Sequence, residues 1–164
     1  MMHGISAAPV PALGLPFADA VNLVCMQKNS FPCVLYAVGW RESIREYGLA
    51  AATRTSDNND GGHGIWQLTS SYPPNWQDPQ ANCAFAIDHF IIPALDFWFN
   101  RMGQTDVALI KCIAAEFNAG RSGAMGGFTL GNVDQNTTHG NYGHDVVTQY
   151  NRLLAHMPPT PDEE

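Results

Sequence analysis

The sequence predicts a predominantly helical fold, either all-α or α+β with very little β. Three observations lead there. Apolar residues recur at helical spacing in several separate segments, capping and stop residues stand at the ends of those segments, and a single alternating run follows one long polar loop.

Residues 16–29 read as the first helix, with Phe17, Val21, Val24 and Cys25 on one stripe. Pro32 opens the second at its first turn, where a missing N–H costs nothing. That helix is expected to run to about Tyr47 and to stop at Gly48. Residues 53–64 hold no aliphatic side chain and read as a loop. Ile65-Trp66-Gln67-Leu68-Thr69 alternates and suggests a short strand or ribbon. Asp78-Pro79 supplies an N-cap and a first-turn proline for a long stretch to about Met102, which Pro93 should kink or split. Thr105-Asp106 should cap the next helix, with Val107, Ile110, Ile113, Ala114 and Phe117 as its stripe and its end at Asn118-Ala119-Gly120. Residues 121–140 read as loop. A last helix carries Tyr142, Val146, Tyr150, Leu153, Leu154 and Met157. Three parts are therefore expected: a flexible lead-in over 1–16, one domain over 17–157, and a frayed proline-rich acidic tail over 158–164.

At 164 residues and 45% hydrophobic content the chain can bury one core. No apolar run approaches the ~18 residues of a membrane span. The net charge is −7, and setting aside the three acids of the tail leaves about −4. No Lys/Arg run exists, which argues against nucleic acid as a partner. Prolines interrupt the uncharged first sixteen residues, so they do not read as a signal peptide. Cys25, Cys33, Cys83 and Cys112 lack zinc-ligand spacing and are expected to be reduced thiols.

Chemistry concentrates in the middle of the chain. Leu35 and Val38 precede Glu42 by seven and four residues, so this acid shares their apolar face. An acid there loses solvation, its pKa is expected to rise, and a general acid at neutral pH needs that. A solvated or arginine-paired glutamate near a helix end is the plainer reading. Asp57 and Asp60 lie in the polar loop, which leads into Gly62-His63-Gly64 and the aromatics Trp66, Tyr72 and Trp76. Two carboxylates beside aromatic walls suit glycosidic cleavage, although for the aromatics taken alone core packing is the better account. Ser56, Asn58, Asp60, Gly61 and Gln67 fall at calcium-loop spacings without the first and last charged ligands, and His139, His144 and Asp145 make a poor zinc set. No metal or cofactor is expected.

Four motifs carry a resemblance. Trp40-Arg41-Glu42-Ser43 resembles the Arg-Glu-Ser of goose-type lysozymes and soluble lytic transglycosylases. Gly62-His63-Gly64-Ile65-Trp66-Gln67-Leu68 is similar to their Gly-x-Gly-Leu-Met-Gln segment, and Ala115-Glu116-Phe117-Asn118-Ala119-Gly120 to their Ala-Tyr-Asn-Ala-Gly. Residues 137–147, with Thr137-Thr138-His139, Tyr142 and Asp145-Val146-Val147, resemble the goose-type version most. Together they span about residues 31–154.

The resemblance implies a lysozyme-like α+β fold, with a small ribbon beside a cleft that cuts the β-1,4 bond between N-acetylmuramic acid and N-acetylglucosamine. It implies Glu42 as the acid, with Ser43 beside it. Gly64, Gln67, Phe117 and Asn118 would be cleft residues, and the Tyr142 hydroxyl would orient the acid. Phe117 stands where the family has tyrosine, and Thr69 where goose-type enzymes have aspartate, leaving Asp57 or Asp60 to activate water. Glu116, at a position that is usually small, is either an extra carboxylate of the site or a solvated helix residue.

The expected function is a muramidase of the hydrolase type, acting as a monomer on peptidoglycan strands at the cell wall or periplasm after phage, virion or non-classical delivery. A lytic transglycosylase leaving 1,6-anhydro ends is the alternative. A non-catalytic glycan-binding module is the second.

Overall fold

The computed structural model describes residues 3–56 and 61–160, and the fold is predominantly helical. Helix α1 (Ala18–Lys28) buries Val21, Val24 and Cys25 and ends on Asn29 in the left-handed conformation. Helix α2 (Pro32–Gly39) starts on its proline and is buried along its whole length, so it forms the central rod of the molecule. A π-helical turn, Trp40–Ile44, extends it into α3 (Arg45–Tyr47), and Gly48 with a positive φ stops the run where expected.

The segment expected as a strand is instead a turn. Ile65 and Trp66 are both buried, which breaks strand alternation, and Gln67 has φ +47°, which no strand allows. Among the described residues β pairing is limited to isolated bridges, Thr55 with His63 and His63 with Leu68. Asp78 caps α4 (Pro79–Ala86) by accepting from Gln80 N. From there the chain stays helical through Pro93: a π turn (Ile87–Ile91), α5 (Ile92–Leu95) and a second π turn (Asp96–Arg101) follow one another. The wide turns on both sides absorb the missing donor and ring bulk that would otherwise split a regular helix.

Helix α6 (Asp106–Thr129) departs from expectation at both ends. Thr105 makes no side-chain cap, and Asp106 itself takes a positive φ. Gly120 breaks the helix at φ 70° and ψ 166°, and helix then resumes, so the segment expected as loop is helical as far as Thr129. Helix α7 (Tyr142–Leu154) packs against both α6 and α2.

Residues 3–16, expected as a flexible lead-in, lie on the core as an extended strap. Ile5 and Val10 are buried, and Asn22 clamps Val10 through both its N–H and its carbonyl. At the other end Pro159 is buried, Trp40 Nε1 donates to Thr160 O and Thr160 N donates to Gln149 Oε1. The chain is thus fastened through Thr160, and the acidic residues beyond it lie outside the described residues. All four cysteines are buried free thiols. Among the described residues no helix is long and apolar enough to cross a membrane.

Candidate active site

Glu42 occupies the π turn that prolongs the buried central helix. Leu35 and Val38 below it are fully buried while Glu42 is half-buried, so the shared face leads from the core into a cavity. The cavity has a volume of about 290 Å³, and Arg41, Glu42, Glu46, Gln67, Asn118 and Tyr142 are among its walls. π turns widen the backbone hydrogen-bond spacing and re-aim side chains, and they recur at functional sites.

The Tyr142 hydroxyl donates to Glu42 Oε1. Burial pushes the Tyr142 hydroxyl well above the ordinary phenol range, and the Glu42 carboxylate pushes it the same way. Tyr142 therefore stays a proton donor at neutral pH. Its position is built from below. Thr137 Oγ1 accepts from Tyr142 N, and the buried Asp134 carboxylate accepts from Gly143 N at 2.6 Å and His144 N at 2.9 Å. Lys111 Nζ lies 3.4 Å from the same carboxylate. An anion at these orphan amides satisfies the helix start and opposes its dipole. The Arg41 guanidinium lies 5.2 Å over the Tyr142 ring, and its Nε is 2.9 Å from Asp145 Oδ2, near in charge though not aligned as a hydrogen bond. The arginine of Arg-Glu-Ser thereby ties the π turn to α7.

Several residues singled out in the sequence support the site without facing it. Ser43 is buried and donates to Ile65 O at 2.7 Å, fastening the Glu42 turn to the Gln67 turn. Gly64, at φ +72°, is also buried, and a Cβ there would come within 2.6 Å of Asn82 Nδ2. Asn82 fills that space to accept from Trp66 N and donate to His63 O. Glycine at 64 thus serves the turn, a role different from lining the cavity. Trp66 is wholly buried, donates to Leu35 O and belongs to the core. Tyr72 and Trp76 gather on the His63 ring instead of on the cavity of Glu42.

Gln67 and Asn118 do face the cavity. Gln67 is braced by donating to Gly64 O. Asn118 accepts from Thr138 N and donates to Thr138 Oγ1, which joins α6 to the Thr-Thr-His turn. Phe117 points into a neighbouring cavity, edge-on to Phe90. Glu116 is 13% exposed and bonded to Trp98 Nε1 and Arg121, so it is neither solvated nor in the Glu42 cavity. Asp57 and Asp60 lie outside the described residues. Among the described residues no group of three or more His, Cys, Asp or Glu side chains could hold a metal ion.

Sequence reasoning missed Asp134, the support that Thr137 gives Tyr142, and the Arg41–Asp145 contact. A cap contributed from nine or ten residues upstream has no spacing signature, because the loop between sets its geometry. Comparison with protein-family models gives no match, and comparison with curated proteins gives none either.

Proposed function

We propose that the protein is a peptidoglycan-cleaving muramidase with Glu42 as its general acid, on a lysozyme-like helical scaffold whose ribbon is reduced to the Thr55, His63 and Leu68 bridges. One observation carries the reading: a half-buried carboxylate at a polar cavity, with one oxygen held by a buried tyrosine hydroxyl. The Glu42 carboxyl would carry the proton to the glycosidic O4. Proton transfer breaks the C1–O4 bond and leaves an oxocarbenium-like sugar. In the hydrolase a second carboxylate takes a proton from water as it attacks C1. Asp57 and Asp60 remain the assigned candidates, and Glu46 is the other carboxylate on the cavity wall.

A second reading is a lytic transglycosylase, a route that needs only one protein carboxylate and is favoured by the Glu42–Tyr142 pair. There the C6 hydroxyl attacks C1, its proton passes to the Glu42 carboxylate, and a 1,6-anhydro ring closes.

The test is Glu42→Gln, which keeps shape but has no acidic proton. Turnover of purified peptidoglycan should fall at least ~100-fold with an unchanged melting temperature. Near wild-type lysis by a folded variant rejects the acid. Intact strands bound but never cleaved by the unmodified protein would identify a binding module. Mass spectrometry of the products separates the two enzymes, because hydrolytic and anhydro ends differ by one water.

A further inference from the structure

A second cavity of about 390 Å³ adjoins the first, and Asn118 is a wall of both. It is made by the break in α6: Gly120 sits on its wall and the turn that follows presents Arg121. The Arg121 guanidinium is held from several sides. Its Nε and Nη2 donate to Glu116 Oε1, Nη2 also donates to Pro93 O, and the Phe97 ring lies 4.4 Å beneath it. Glu116 is held in turn, its other oxygen accepting from the buried Trp98 Nε1 at 2.8 Å.

A guanidinium has five N–H donors. Nε and both hydrogens of Nη2 can be assigned to these bonds. Nη1 has no partner among the described residues. Phe90 and Phe117 form the apolar side of the same cavity, and Thr69, Ser70 and His89 add polar groups to its rim. A sugar ring asks for several hydroxyl and amide partners across a plane. A fixed cation with one free nitrogen, next to apolar rings, suits a carboxylate on a short aliphatic chain.

We propose that this cavity binds the peptide stem of the glycan strand, with a free stem carboxylate accepting from Arg121 Nη1 and the alkyl portion resting on Phe90 and Phe117. The inference rests on the muramidase reading and adds that stem-bearing strands with free carboxylates are the preferred substrate. Arg121 is then a specificity-determining residue of the cleft.

The experiment compares two forms of one peptidoglycan preparation, native and with its stem carboxylates converted to carboxamides, which removes charge while keeping size. The unmodified protein should cleave the native form about tenfold faster at limiting substrate, the scale of one charge-assisted contact. In Arg121→Gln the ratio should fall towards one, and Arg121→Lys, which keeps charge without the fork, should fall between. Equal cleavage of both forms by the unmodified protein overturns the inference and leaves the muramidase reading standing. A ratio that survives in folded Arg121→Gln also overturns it. Cleavage of neither form rejects the muramidase reading itself. If Arg121→Gln does not fold, the native-to-carboxamide ratio and its reduction in Arg121→Lys decide the matter, an unreduced ratio in Arg121→Lys overturning the inference.

Discussion

Tyr142 carries two loads, a ring buried under Arg41 and a hydroxyl committed to Glu42. Removing only the oxygen separates them. Tyr142→Phe keeps the packing and loses one hydrogen bond, so stability should change by about 1 kcal/mol. Turnover should fall about tenfold or more, because the acid loses the contact that sets its position. Matched melting curves with unchanged rates would leave Tyr142 as a core residue only. The apolar stripe made the place of Glu42 legible in the sequence, and its pairing with Tyr142 was implied only by the resemblance that the four motifs carry. The residues that hold Tyr142 in place were not, because Asp134 and Thr137 reach it through a folded loop.

Gly120 shows how one residue shapes an element. Its φ of 70° with ψ 166° lies in a region that essentially only glycine occupies, and a Cβ there would meet no heavy atom within 4 Å. Gly120→Ala should therefore destabilise by about 1–3 kcal/mol through backbone strain alone. Asn118 and Arg121 flank the break, so activity should fall with stability. Unfolding in denaturant measures the first and peptidoglycan turnover the second, and an unchanged midpoint would show that the break does not need glycine. The sequence placed the end of the first helical segment here. It did not reveal that helix resumes, because glycines at 123, 126 and 127 imitate a loop. In the fold, Gly127 packs against the carbonyls of Asn132 and Val133, where a side chain would collide.

Across the whole molecule, burial of weak acids sets an alkaline limit. Burial pushes the Cys33 thiol up from 9.0 to about 11 and the Cys112 thiol to about 12, and the Tyr36 hydroxyl is also raised by burial. Each group keeps its proton in the folded state at a pH where the unfolded chain has lost it. Their contribution is thus complete below about pH 9 and is lost as pH climbs towards 11 and 12. The denaturation midpoint should hold between about pH 7 and 8.5 and fall steeply by about pH 10.5. The fall should be smaller in a Cys33→Ala, Cys112→Ala variant, compared with its own midpoint at neutral pH. A midpoint flat to about pH 10.5 would contradict the assignment.

By itself the sequence determined the helical class, the central helix beginning at Pro32, the Asp78 cap, the stop at Gly48 and the candidate acid. Each rests on local periodicity or backbone chemistry readable within a few residues. Tertiary structure alone decided that residues 3–16 and 158–160 fasten to the core and that helix passes through Pro93 on π turns. It also decided that Ser43 and Gly64 brace the site from behind, and that Asn118 separates two adjoining cavities. All of these depend on partners distant in the chain, and a distant contact leaves no periodic trace in the residues that make it.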